Sequence, residues 1–142
     1  MSDLVTLRPA EERDVPYLNS YCYSEGMDNV PSLENVTVAV NASDEPVGFI
    51  RLAFSDAGIA HVNPVVVHPV WRGYGVGRIL VQDALDAHGE LRLVSRGSSL
   101  AFYQAMGFQN IPWSDIAPGV TDDCDGCELR EECQPQPMRK VK

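Results

Sequence analysis

The sequence lacks any long hydrophobic run. No stretch of its 142 residues approaches the roughly 18 apolar residues that a helix needs to span a bilayer. The opening segment MSDLVTLRP also lacks the hydrophobic stretch of a secretory signal. We therefore expect a chain with no membrane partner and a cytoplasmic location.

Basic residues are also scarce. The chain has 11 Lys and Arg against 20 Asp and Glu, which gives a formal net charge of −9. The electrostatic field of such a negatively charged protein repels phosphate backbones unless a local basic patch outweighs it. We therefore expect no nucleic-acid partner, and the acidic surface favours a cationic one. The length allows one compact domain with an ordinary apolar core.

Cysteine is rare except near the end of the sequence, where Cys124, Cys127 and Cys133 have the spacing C-x2-C-x5-C. A C-x2-C pair can place two thiolates on one zinc or iron ion, but three ligands are one short of a closed site. The alternative is an acidic tail with incidental thiols. Cys22 stands apart at helical spacing with apolar residues, which favours a buried core thiol.

Hydrophobic periodicity predicts mixed secondary structure up to residue 113, followed by acidic, loop-like chain. We therefore divide the chain into a domain at 1–113 and a cysteine-containing extension at 114–142, packed on the domain or trailing from it. The predicted strands are 4–7, 36–41, 47–54, 59–68, 91–95 and 108–113, and the predicted helices are 11–22, 76–89 and 98–106.

A glycine-rich turn, Arg72-Gly73-Tyr74-Gly75-Val76-Gly77, stands between the third long strand and the second helix. Glycines that lead into a helix let backbone N–H groups point at one spot, which makes a phosphate cradle. The spacing fits neither a P-loop, which needs Lys-Ser or Lys-Thr, nor a dinucleotide fingerprint. The alternative is a tight strand-to-helix turn that holds no ligand.

The turn is part of a motif, and a second motif follows it in the sequence. Arg72, Gly75 and Gly77 match Arg-x-x-Gly-x-Gly, and residues 102–108 read Phe-Tyr-x-x-x-Gly-Phe. This pair, in this order with one strand between, resembles the GNAT superfamily of N-acetyltransferases. The resemblance covers residues 3–113. It implies an α+β fold of three αβα layers, with a mixed, mostly antiparallel sheet and a splayed parallel strand pair at the cofactor slot.

The resemblance also implies an acetyl-CoA site. In the family, the loop amides bind the pyrophosphate and the preceding strand presents backbone groups to the pantetheine arm. The resemblance thus implies that the following residues of this chain bind acetyl-CoA: Val66, Val67, Arg72, Gly73, Tyr74, Gly75, Val76 and Gly77.

Acetyl transfer needs a neutral amine and a proton for the leaving thiolate. Tyr103 resembles the family's general acid, and His61 stands where the family often places a general base; water and a purely structural histidine are the alternatives. We expect direct transfer from acetyl-CoA to a primary amine. The rival is a non-catalytic acetyl-CoA-binding protein that regulates a protein partner. The sequence leaves the oligomeric state open, a homodimer included.

Overall fold

The computed structural model describes residues 4–24, 29–95, 99–117 and 135–142. Within these ranges, seven strands, three α-helices and three short 3-10 helices follow one another. The strands are β1 (Thr6–Pro9), β2 (Val36–Val40), β3 (Pro46–Phe54), β4 (Ala60–Val67), β5 (Glu90–Ser95), β6 (Gln109–Asn110) and β7 (Gln136–Val141). The α-helices are α1 (Val15–Ser24), α2 (Val76–His88) and α3 (Ser99–Ala105), and the 3-10 helices are Glu12–Asp14, Pro69–Trp71 and Trp113–Asp115.

The strands form a mixed sheet in the order β1-β2-β3-β4-β5-β7-β6. Strands β1 and β2 pair antiparallel, as do β2 with β3, β5 with β7, and β6 with β7. The first residues of β4 pair with β5 in parallel, Ala60 with Leu91 and His61 with Arg92. These observations confirm the predicted α+β class, the mixed sheet and the parallel strand pair.

The chain divides into two compact units. The first unit contains Met1–Arg51 and Pro64–Asp83, and the second contains Leu52–Asn63 and Ala84–Lys142. In the first unit, a buried cluster joins α1 to the first strands, and Cys22 lies in it with 1% of its surface exposed. The predicted core thiol is therefore confirmed, and burial raises its pKa.

An ion pair between the partly buried Arg8 and the buried Asp14 fixes the start of the first unit. Both oxygens of Asp14 accept hydrogen bonds from the Arg8 guanidinium, at 2.7 and 2.9 Å, and one also accepts from the Glu11 N–H. Burial alone would raise the Asp14 pKa, but the Arg8 hydrogen bonds and the Glu11 amide outweigh it and lower the pKa. The carboxylate therefore holds β1 to the turn that begins α1.

In the second unit, β7 is the main departure from the sequence-based expectation. We predicted a final strand over 108–113 and loop-like chain after Ser114. Instead, β6 is only Gln109–Asn110, and Gln136–Val141 pairs with β5 along all six residues. The prediction of loop was wrong for this segment because Pro137, a residue that is rare inside strands, made it resemble loop. Pro137 has no N–H to donate, yet its carbonyl accepts the Ile111 N–H at 3.0 Å.

The predicted boundary at residue 113 stays a prediction, since β7 lies within the sheet while residues 118–134 lie outside the described chain. Among the described residues, no helix has both the length and the apolar character needed to cross a bilayer.

Candidate functional site

The turn after β4 is built by local hydrogen bonds. The N–H of His68 donates to the Val47 carbonyl at 2.8 Å, and His68 Nδ1 accepts the Val70 N–H at 3.1 Å. His68 thereby caps the 3-10 helix Pro69–Trp71. Arg72 follows, and its Nε donates to the Val67 carbonyl at 3.2 Å. The Arg72 side chain thus folds back onto the last residue of β4.

Two glycines then turn the chain into α2. Gly73 has φ +92° and Gly75 has φ +80°, a backbone region that residues with a Cβ rarely adopt. A Cβ built on either glycine would meet nothing within 4 Å. The glycines are therefore required by backbone conformation, and the space beside them is open to a ligand.

The start of α2 supplies hydrogen-bond donors to this space. The Ile79 N–H donates to the Gly75 carbonyl at 3.0 Å, an early i to i−4 bond of the helix. The N–H groups of Val76, Gly77 and Arg78 precede it in the first turn, where an α-helix has no acceptors of its own. The helix dipole adds partial positive charge there. The turn is therefore suited to hold an anion such as a pyrophosphate.

Gly48 on β3 is a residue that the sequence analysis missed. A Cβ at this position would lie 3.1 Å from the Val66 carbonyl oxygen, 3.2 Å from Val76 Cγ1 and 3.5 Å from Val67 Cα. The end of β4 thus lies so close to β3 that a side chain at residue 48 would make tight contacts with it. A glycine inside a strand pattern was the signal that could have found it.

Tyr103 lies on α3 in the second unit, with 6% of its surface exposed. Its ring packs edge-on against Phe102 and Phe108, with centroids 5.0 and 5.3 Å away. Burial raises the pKa of its phenol, so the hydroxyl stays protonated at neutral pH. Within the described chain, no hydrogen bond satisfies this hydroxyl. A buried polar group without a partner calls for an explanation, and proton donation to a substrate is one.

The end of α3 is fixed by β7. The Lys140 ammonium donates to the Met106 carbonyl, and its side chain lies 3.4 Å from where a Cβ of Gly107 would stand. Gly107 has φ +94° and ends the helix, and the Phe108 N–H returns to the Tyr103 carbonyl at 3.0 Å. The strand missed in the sequence therefore anchors the turn next to Tyr103.

His61 lies on β4 in the second unit and is fully buried. Its Nε2 accepts the Ala117 N–H at 3.3 Å, which assigns the proton to Nδ1, and Nδ1 donates to the Ile59 carbonyl at 3.0 Å. Burial lowers its pKa, against a smaller opposing effect of the Ile59 hydrogen bond. Both ring nitrogens of this neutral imidazole are thus engaged by the backbone.

The predicted site residues therefore occur in two groups. The first unit brings together Val66, Val67 and the turn Arg72–Gly77, and the second unit holds Tyr103 and His61. The predicted metal candidates Cys124, Cys127 and Cys133 lie outside the described residues. Among the described residues, no group of three His, Cys, Asp or Glu side chains is arranged to hold a metal ion.

Comparisons with known proteins place this geometry in a family. The family model of the acetyltransferase (GNAT) domain matches residues 32–110, more than half of the chain. The peptidyl-lysine N-acetyltransferase YjaB of Escherichia coli is 37% identical over 82 residues, a match that covers 56% of this chain and 52% of YjaB. The match thus spans about half the length of that relative.

Solved structures agree on the fold. Rv2747 of Mycobacterium tuberculosis, solved in complex with CoA, superposes with a TM-score of 0.77 at 16% identity and covers 96% of this chain and 99% of its own. The solution structure of apo YjaB from E. coli gives a TM-score of 0.62 at 22% identity, covering 95% of this chain and 94% of its own.

The chain therefore belongs to the GNAT acetyltransferase family. Membership confirms the resemblance seen in the two sequence motifs.

A pair of matched glycine variants tests the cradle. Gly75→Ala should weaken acetyl-CoA binding at least tenfold, because the backbone must leave the left-handed region or bear strain of about 1–2 kcal/mol. Gly58→Ala is the control, since Gly58 also has a positive φ, +82°, with nothing within 4 Å, but lies in the β3–β4 turn. Calorimetric titration and urea unfolding of both variants measure affinity and stability. Equal acetyl-CoA affinity in the two variants would contradict the cradle.

The burial of His61 predicts a pH-dependent contribution to stability. Its folded pKa lies below the usual 6.5, so between these two pKa values the unfolded chain binds more protons. The contribution is present above pH 6.5 and is lost as the pH falls toward the folded value. In urea unfolding at pH 7.5 and 5.5, wild type should therefore lose more unfolding free energy than His61→Gln. A variant that loses as much as wild type would refute this account.

Proposed function

We propose that this protein is an acetyl-CoA-dependent N-acetyltransferase that moves an acetyl group directly to a primary amine within a ternary complex. The observation that carries the proposal is the open, left-handed glycine turn at Gly73 and Gly75, which leads into the donor-rich start of α2. In a GNAT-family chain, this turn is the place for the pyrophosphate of acetyl-CoA. Val66 and Val67 then offer backbone groups to the pantetheine arm.

Backbone donors suit this ligand in a chain of net charge −9. Amide N–H groups and a helix dipole attract one pyrophosphate locally without requiring a basic surface. Arg72 adds a guanidinium at the entrance of the turn, where its Nε donates to Val67. The acidic remainder of the surface favours a positively charged acceptor.

Tyr103 is the proposed general acid. The neutral amine forms a bond to the thioester carbonyl carbon, the carbon–sulfur bond breaks, and the departing sulfur takes the Tyr103 hydroxyl proton. The proton lost by the attacking nitrogen returns through solvent to the phenolate, which closes the cycle. Because burial raises its pKa, the phenol is protonated at neutral pH and has a proton to share with the departing sulfur.

We assign His61 a positioning role and the deprotonation of the amine to water. The lone pair of Nε2 already accepts the Ala117 N–H, and the ring is fully buried. A general base needs a free lone pair within reach of the substrate. Loss of the acid limb of the pH–rate profile in His61→Gln, with unchanged stability, would make His61 the base instead.

The acceptor that we propose is the side-chain amine of lysine in a peptide or protein. The support is the partial match to a peptidyl-lysine N-acetyltransferase and the acidity of this chain. A lysine amine is cationic at neutral pH, so an acidic surface attracts it before it loses its proton.

Removal of the Tyr103 hydroxyl tests the acid role. Tyr103→Phe should lower kcat by about 10²- to 10⁴-fold, the usual contribution of a general acid, with acetyl-CoA affinity unchanged. Unfolding free energy should change by less than about 0.5 kcal/mol, because no hydrogen bond within the described chain is lost. Tyr23→Phe is the matched control, since Tyr23 is 84% exposed. Full turnover by Tyr103→Phe would eliminate the acid role.

The acceptor is tested by release of free CoA thiol. We expect release with Nα-acetylated peptides that contain one lysine and none with the same peptides in which arginine replaces it. Free α-amines of amino acids and small polyamines complete the panel. If acetyl-CoA binds but no amine in the panel releases thiol, the protein is the non-catalytic regulator rather than the enzyme.

A further inference from the structure

An aromatic pair, one partly exposed ring and one exposed ring, lies at the glycine turn. Trp71 ends the 3-10 helix after β4, and Tyr74 lies between the two left-handed glycines. Their ring centroids are 5.6 Å apart and their planes are tilted by 55°. Tyr74 is 56% exposed, and the neighbouring Val70 is 73% exposed. This patch is defined here as the aromatic platform, made of Val70, Trp71 and Tyr74.

The fold of the turn does not itself require these rings. The turn is held by backbone bonds, among them the Tyr74 N–H to the Trp71 carbonyl at 3.4 Å. The left-handed bends depend on Gly73 and Gly75, so residue 74 can carry any side chain that faces out of the turn. Aromatic rings that are partly exposed to water are stabilised when a flat apolar group stacks on them and removes that surface from water.

The position of the platform indicates which flat group could cover it. Under the proposed function, which this inference extends, the cradle holds a pyrophosphate that carries two substituents. The pantetheine arm runs toward Val66 and Val67 at the end of β4. The nucleoside leaves the pyrophosphate from its other end, and the platform is the exposed apolar surface within the same turn.

We propose that Trp71 and Tyr74 form a stacking surface for the adenine base of acetyl-CoA. Every purine has a flat π face that stacks on aromatic side chains without any need for matched hydrogen bonds. The platform therefore raises the affinity for the nucleotide end of the cosubstrate. It does not contact the thioester. The expected loss on truncation of one stacking ring is about tenfold in affinity.

The test compares acetyl-CoA with acetyl-pantetheine, which carries the thioester but no nucleotide. Tyr74→Ala should raise the Kd for acetyl-CoA about tenfold in calorimetric titration and leave kcat/KM for acetyl-pantetheine within twofold of wild type. Tyr74→Phe should bind acetyl-CoA as wild type does, because it keeps the ring. Tyr23→Ala, which removes an exposed tyrosine from α1, is the matched control and should leave both values unchanged.

A second readout uses the indole. In a Trp113→Phe background, Trp71 is the one tryptophan left in the sequence. Acetyl-CoA should quench its fluorescence, and acetyl-pantetheine at saturation should not. This readout reports contact with the base and needs no turnover.

Three outcomes separate the proposals. An unchanged Kd for acetyl-CoA in Tyr74→Ala overturns the platform while leaving the acetyltransferase proposal standing. A Tyr74→Ala variant that changes only the oligomeric state in size-exclusion chromatography also overturns it, because the patch would then bind protein. If neither wild type nor any variant binds acetyl-CoA, the proposed function itself fails.

Discussion

The constraint on which the site depends is the backbone conformation at Gly73 and Gly75. Both residues occupy the left-handed region, with φ +92° and +80°, where a side chain carries a cost of about 1–2 kcal/mol. They lie between β4 and α2, directly before the helix turn whose first N–H groups have no acceptor within the helix. Gly48 completes this geometry, because the end of β4 approaches β3 within 3.1 Å of where a Cβ would stand. Three glycines thus shape the backbone of the proposed anion site.

Each unit on its own holds part of the chemistry considered above. The first holds neutral backbone donors, which are suited to an anion in an acidic chain because they do not titrate at physiological pH. The second holds Tyr103, a buried phenol whose hydroxyl has no acceptor within the described chain. The proposed general-acid role gives this buried hydroxyl a function. His61, by contrast, has both nitrogens engaged, which fits a residue that fixes structure.

Much of this arrangement was predictable because it is local in sequence. The left-handed turn and the start of α2 follow from Gly73, Gly75 and the apolar spacing after them. The helix predicted over 76–89 is α2, which ends at His88. Long-range pairing was not predictable. Pro137 made β7 resemble loop, although it needs to supply only a carbonyl to Ile111.

The same reason explains the reinterpretation of His61. Its partner Ala117 is 56 residues away in the chain, so no local pattern reveals that the Nε2 lone pair is occupied.

The most direct test of the central claim is an NMR titration of ¹⁵N-labelled protein with CoA. The account predicts saturable shifts of the Gly73, Gly75, Val76 and Gly77 amide signals. Binding of CoA that leaves these four signals in place would contradict it.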